Sequence, residues 1–242
     1  MKLALLTTES PHHVFFASEL LRAFGDLVIF SESRQSTSPA FETSHPYEAV
    51  RDTSEWERWF RGDRIKLGDI TRVFYFDSIN TDDALQELKG AKADVVIVFG
   101  TGLIKDAVID ACSPNLFNLH GGDPERYRGL DSHLWAIYHR DFSSLITTLH
   151  RVSPVLDDGE IILQGQVPLR EGLPLHELRA VNTELAVKLG VGAVDMVARY
   201  GDVISRPQKA IGRYYSSMPR ELKTVCEYYF ARYVGEGFSN GK

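Results

Sequence analysis

The chain has 242 residues, 43% of them hydrophobic and 25% charged, the balance of a soluble globular protein with one large domain or one domain and an appendage. A formal net charge of −6 and a pI near 5.8 argue against nucleic acid as a partner, since that grip needs a basic face. Two cysteines in buried-looking contexts, Cys112 and Cys226, exclude a disulfide framework and point to a reduced, cytoplasmic setting, and no apolar run is long enough to span a bilayer.

Residues 3–6 form a first buried strand, with no signal-peptide pattern around it. Ser10-Pro11 starts a helix with Val14, Ala17, Leu21 and Phe24 on one face and Gly25 at its end; residues 27–30 return as a second strand. This βαβ opening predicts a parallel sheet with right-handed crossovers. The turn between them, 7–13, has no glycine, so both the dinucleotide fingerprint and a glycine-rich phosphate loop are absent. His12 and His13 on that turn are candidate substrate contacts, with a solvated loop as the alternative. Residues 31–46 are a polar loop. Residues 47–61 are helical, with Trp56, Trp59 and Phe60 spaced for a core or an interface. A third strand covers 73–76; Asn80-Thr81 then caps a helix bearing Leu85 and Leu88, with Asp82 and Asp83 in its first turn and Gly90 at its end.

Residues 94–99 are a continuous apolar strand, buried on both faces of a parallel sheet. It runs into Gly100-Thr101-Gly102, a weak signal because Lys105 stands where a third glycine would complete the fingerprint. A short helix, 104–111, closes at Ser113-Pro114. Leu116, Phe117 and Leu119 then make a strand that stops at His120, before Gly121 and Gly122. Asn118 and His120 are two apart, so on an extended chain they point to the same side. An amide can donate to a developing oxyanion, and an imidazole can take a proton near neutral pH. A helix over 130–140 and a β-rich run over 145–150 follow. A Ser-Pro turn leads to Leu156-Asp157-Asp158-Gly159, then a strand over 161–167. Asp157 thus sits on a loop held by two strands, where functional groups concentrate. The residues alone leave a second account open, in which Asn118 satisfies a turn, His120 is a packed polar group and Asp157 caps a bend.

A long helix occupies 175–200, with Gly190 and Gly192 as points where it bends. A domain over 1–200 and an extension over 201–242 follow from this reading. The extension has a connector, then Gly212-Arg213-Tyr214-Tyr215, and Pro219 suits the start of a last helix carrying Leu222, Val225 and Phe230. The eight histidines form no His-Glu-x-x-His or Cys/His cluster, so no metal site is expected. No Gly-x-Ser-x-Gly elbow is present.

Asn-Leu-His at 118–120, Tyr-Arg-Gly at 127–129, Trp-Ala-Ile at 135–137 and Leu-Asp-Asp-Gly-Glu-Ile at 156–161 resemble the formyltransferases that use 10-formyltetrahydrofolate. That family includes enzymes acting on glycinamide ribonucleotide, methionyl-tRNA and nucleotide sugars; the resemblance covers 94–168. It implies a Rossmann-like α/β fold, an open and mostly parallel sheet with helices on both faces. It implies that Asn118, His120 and Asp157 are the catalytic trio. It places the folate at Phe99, Gly100, Thr101, Gly102 and Leu103 and along 152–158, with Val152, Val155 and Asp158 as contacts. Arg128 becomes a candidate acceptor contact, with an ion pair holding its turn as the alternative. The chain departs from the family at Gly121-Gly122-Asp123-Pro124-Glu125, where a Pro-Ser-Leu-Leu-Pro run is usual, and at Ser132, where a proline is usual. Both departures border the acceptor side. The purine enzymes' phosphate loop is absent, and 201–242 is too short for the tRNA enzymes' extra barrel. The expectation is therefore a small-molecule amine acceptor, foremost a nucleotide-linked amino sugar, with an amino acid or hydroxylamine next. A hydrolase releasing formate and a non-catalytic folate-binding protein are the other classes. No nucleic acid and no membrane are expected as partners, and a homodimer stays open.

Overall fold

Alternation along the strands decides how this chain folds. In β1 (Leu3–Thr7), Leu3 and Leu5 belong to one buried cluster and Ala4 and Leu6 to another, so the strand is apolar on both faces and needs cover on both. The computed structural model, which describes residues 1–33, 39–112 and 114–236, supplies that cover with helices on either side. In chain order come α1 (Pro11–Phe24), β2 (Leu27–Glu32), α2 (Pro46–Phe60), α3 (Leu67–Ile70), β3 (Val73–Phe76), α4 (Asp82–Ala91) and β4 (Val95–Phe99). Then follow α5 (Asp106–Cys112), β5 (Leu116–His120), β6 (Tyr127–Gly129), α6 (Ser132–Tyr138), β7 (Ile146–Arg151) and β8 (Ile161–Gln166). The chain closes with α7 (Leu178–Tyr200), β9 (Arg213–Tyr215) and α8 (Arg220–Glu236).

Seven strands form one open sheet in the order β3-β2-β1-β4-β5-β7-β8. The pairs from β3 through β5 are parallel, and β7 and β8 run antiparallel to their neighbours. The expected mostly parallel α/β sheet is what forms. Strand order reverses between β1 and β4, which opens a crevice beyond their carboxyl ends, the usual ligand position in such sheets. Leu3, Leu5, Ile29, Ile97, Phe117 and their neighbours pack on α1 and α7; Leu6, Phe30, Val96 and Val98 pack on α4 and α5.

Several boundaries differ from expectation. The loop over 31–46 shortens, because β2 reaches Glu32 and α2 begins at Pro46, capped by His45 and Glu48; residues 34–38 lie outside the described residues, as does Ser113. The capped helix ends at Ala91, with Lys92 in the left-handed conformation (φ 50), one residue past the expected stop at Gly90. Thr81, not Asn80, caps its start, accepting from the Ala84 N–H. Gly190 and Gly192 do not break α7, which runs through both. A Cβ at Gly190 would lie 3.1 Å from Phe16 Cζ, so that glycine serves the close approach of α1 to α7. Cys226 is buried and Cys112 only half-buried, and both thiols are free.

The segment after Tyr200 folds back onto the same body. Arg213–Tyr215 pairs in parallel with Tyr127–Gly129, and Met218, Cys226 and Phe230 join Leu134, Ile137 and Leu145 in a further apolar cluster.

Candidate active site

β5 lies beside β4, one strand from the reversal, and its apolar residues are buried against both helix layers while Asn118 and His120 close its carboxyl end. Register does the rest. Asn118 lies opposite His150 of antiparallel β7, so the two side chains share a face. His150 Nδ1 is 2.7 Å from the Arg151 carbonyl, which makes it the protonated nitrogen. Its Nε2 is then an acceptor and takes a hydrogen bond from Asn118 Nδ2 at 3.0 Å. His120 Nε2 donates to the Tyr127 carbonyl at 2.8 Å.

The third member arrives from the β7–β8 loop. Asp157 takes a left-handed backbone (φ 53), uncommon for a residue other than glycine. Asp157 Oδ2 accepts from the Gly129 N–H at 2.9 Å and lies 3.5 Å from His120 Nδ1. Oδ1 lies 3.5 Å from Asn118 Nδ2 and 3.6 Å from His150 Nε2. Burial pushes this carboxyl up, but neighbouring His120 and the Gly129 N–H outweigh it and hold the pKa at about 2. The carboxylate is therefore charged at neutral pH beside an imidazole nitrogen with no other hydrogen-bond partner among the described residues. The Gly of Leu-Asp-x-Gly has its own reason: a Cβ at Gly159 would sit 1.6 Å from the Arg151 carbonyl oxygen, where the loop closes back on β7.

Two cavities meet at this cluster. One, of about 310 Å³, is lined by the β4–α5 turn, the 152–157 loop, Asn118, His120, Leu130 and Tyr214. The other, of about 250 Å³, lies between α2, α6 and the start of α7, with His12, Tyr47, Arg51, Asp131 and Arg179 among its walls. His120, Gly129 and Leu130 border both.

Gly100, Thr101, Gly102, Leu103, Val152 and Val155 line the first cavity. Phe99 instead lines the second, because its ring turns toward α1 and meets His12, His13 and Phe16. Asp158 lines neither: the left-handed step at Asp157 directs its neighbour away. His12 faces the second cavity with its Nδ1 at Ser10 Oγ (2.9 Å); burial, then the positive charge of His13, Arg179 and Arg51, pushes its pKa well below the ordinary value. His13 lines neither of these two cavities. It is buried in the first turn of α1, its Nδ1 within reach of the Ser10 and Thr8 hydroxyls. Among the described residues Arg128 makes no ion pair, and it lines neither cavity; it donates to the Gly212 and Leu156 carbonyls at 2.9 and 3.1 Å.

Three supporting residues escaped the sequence reading. His150 orients Asn118. Glu32 accepts from the Gly102 N–H at 3.0 Å, and Asn80 bridges the Leu103 carbonyl (2.8 Å) and the Lys105 N–H (2.8 Å), so both fix the β4–α5 turn. The available signal was position, since Glu32 and Asn80 fall at or beyond the ends of neighbouring parallel strands. Among the described residues no three His, Cys, Asp or Glu side chains are grouped to hold a metal, and no helix is long and apolar enough to cross a membrane.

An open α/β sheet with an amide, an imidazole and a carboxylate gathered at the carboxyl end of β5 defines a Rossmann-like protein with its site at the strand edge. A family model described as formyl transferase matches residues 42–194, more than half of the chain. The chain belongs to the formyl transferase family. It is 28% identical over 143 residues to a methionyl-tRNA formyltransferase of Porphyromonas gingivalis, a match taking in 59% of this chain and 44% of that enzyme. The chain thus matches less than half the length of such relatives. Among solved structures it resembles the formyltransferase PseJ from Anoxybacillus kamchatkensis, in complex with UDP-4,6-dideoxy-4-formamido-L-AltNAc and tetrahydrofolate, with a TM-score of 0.57, 20% identity and coverage of 89% and 86%. It also resembles glycinamide ribonucleotide transformylase 1 from Symbiobacterium toebii, with a TM-score of 0.58, 17% identity and coverage of 85% and 94%. At these identities the structural likeness speaks for the fold.

Proposed function

We propose that the protein transfers the formyl group of 10-formyltetrahydrofolate to the amine of a small molecule. The observation that carries this reading is the meeting of two cavities at His120, one for a donor and one for an acceptor. A hydrolase needs only the first cavity and a water. The backbone groups of the β4–α5 turn, held by Glu32 and Asn80, suit the hydrogen-bonding edge of a pterin.

The chemistry follows from the geometry. The acceptor's neutral nitrogen attacks the formyl carbon, and the carbonyl electron pair moves to oxygen. Asn118 donates an amide N–H to that oxygen, and His120, held in place by the Asp157 carboxylate 3.5 Å from its Nδ1, stands beside it to relay the proton. Collapse expels the tetrahydrofolate nitrogen, which takes up a proton, while the new amide loses the proton the amine brought. We place Asn118, His120 and Asp157 at the reacting centre and Gly100 to Leu103, Val152 and Val155 along the donor.

A nucleotide-linked amino sugar is the acceptor we favour, supported by the formamido sugar nucleotide in one structural relative and by dTDP-3-aminofucose in another, the N-formyltransferase from Helicobacter canadensis (TM-score 0.59, 16% identity, coverage of 89% and 71%). The cavity of about 250 Å³ takes the amine-bearing end; Arg51 and Arg179 on its wall are already paired with Glu48, Asp52 and Glu55. A cytoplasmic setting fits the two free thiols. The test is a panel of UDP- and dTDP-amino sugars, amino acids and hydroxylamines incubated with 10-formyltetrahydrofolate and read by mass. A gain of one formyl group on an amine supports transfer. Formate release at an equal rate with and without every amine refutes it.

A further inference from the structure

The C-terminal segment is unused by the chemistry above, yet it is fastened to the active-site loop. Gln208 Nε2 donates to the carbonyls of Asp157 (2.8 Å) and Gly159 (2.9 Å). Arg128 ties Gly212 to Leu156, and β9 sets Tyr214 in register with Arg128. The Tyr215 ring packs inward against Tyr127 and Trp135, with centroids 5.6 and 4.9 Å away. Its strand neighbour Tyr214 therefore faces the other way. There the Tyr214 ring lies over Gly129, so near that a Cβ on Gly129 would be 2.8 Å from Cε2. The same Gly129 donates its N–H to Asp157.

Tyr214 lines the donor-side cavity while 56% exposed, and Leu103, Leu130 and Val155 beside it are 49%, 42% and 51% exposed. Large apolar groups left in water around one cavity mark a surface that a ligand covers. Among the described residues Tyr214 supplies that cavity's one phenyl ring; its other apolar walls are aliphatic. An aromatic side chain stacks best on a flat ring. In 10-formyltetrahydrofolate the nitrogen carrying the formyl group is bonded to a benzoyl ring, so that ring must lie beside the reacting centre, where Tyr214 stands.

We propose that Tyr214 is the aromatic wall for the donor's benzoyl ring, which makes the C-terminal segment a working part of the formyl-donor site. This rests on the donor reading above. The probe is 5-formyltetrahydrofolate, a stable analogue with the same ring, titrated into wild type, Tyr214→Leu and Tyr214→Phe. Wild type should bind and melt higher with the ligand. Tyr214→Leu should weaken binding on the order of tenfold, and Tyr214→Phe should bind as wild type does. The ligand-free melting temperature should be the same in all three, since the side chain is largely exposed, and the acceptor KM should stay put while the donor KM rises. Equal binding by wild type and Tyr214→Leu would overturn the inference and leave the donor reading standing. Tyr214→Phe as weak as Tyr214→Leu would also overturn it, because the hydroxyl would then carry the contact. No binding by wild type would overturn the donor reading itself.

Discussion

Asp157 and His150 contribute in ways that can be measured apart. Asn at position 157 keeps the turn-forming side chain and loses the charge, so Asp157→Asn should lower turnover by roughly 10²–10⁴-fold with a smaller change in folate affinity. Asp158→Asn, whose side chain lines neither cavity, should cost little; equal effects would dismiss the carboxylate's role. The same charge has a signature in stability. The folded pKa of about 2 lies below the ordinary unfolded value, so the contribution is fully present above about pH 4 and is lost as pH falls toward 2. The advantage of wild type over Asp157→Asn in denaturant unfolding should therefore shrink by about 2 kcal/mol between pH 5 and pH 2. His150 is a positioning residue. His150→Phe should reduce kcat by less than the roughly 10²–10³-fold of losing an oxyanion donor, with KM nearly unchanged. His150→Gln, which can still accept from Asn118, should recover part of it; an unchanged kcat in the Phe variant would remove His150 from the site. Asn118, His120 and Asp157 were legible because each sits in a short local pattern. His150 was not, because its place depends on a strand register spanning 32 residues, which no local pattern records.

At the level of elements, periodicity carried far where runs were long. The parallel strands were visible as apolar runs, because strands buried on two faces leave little room for polar residues, whereas β7 showed only as a β-rich run. β6 and β9 were not, being three residues each with partners 86 positions apart, as in Tyr127 and Arg213. Such short strands exist only because a distant segment meets them. The packing role of Gly190 was hidden for a similar reason: a glycine in a helix looks like a bending point until the neighbouring helix is known. Gly190→Val would drive a branched side chain into Phe16, and overpacking of this kind typically costs about 1–3 kcal/mol. A lowered denaturant midpoint with an unchanged slope is the expected result, whereas Gly192→Ala, whose nearest neighbour is a Leu163 methyl at 3.5 Å, should be nearly neutral.

For the molecule as a whole, the sequence drew a boundary near residue 200, whereas the apolar cluster of α6, α8 and the start of α7 crosses it. Removing 201–242 would uncover the partners of Met218, Cys226 and Phe230, all fully buried. The shortened chain should be aggregation-prone and inactive, as seen by light scattering; a stable, folding-competent 1–200 fragment would restore the boundary. The ties from Gln208 and Gly212 to the Asp157 loop also have a temporal side. A ribosome makes this chain from its amino end, so the sheet and the loop exist before residues 206–215 emerge to hold them. Pairing β6 with β9 closes a long stretch of chain, a slow and late event by its topology. Until it happens, a nascent molecule carries the three side chains we propose as catalytic without the fastening that aims the carboxylate. Competence to react then begins with the last strand made.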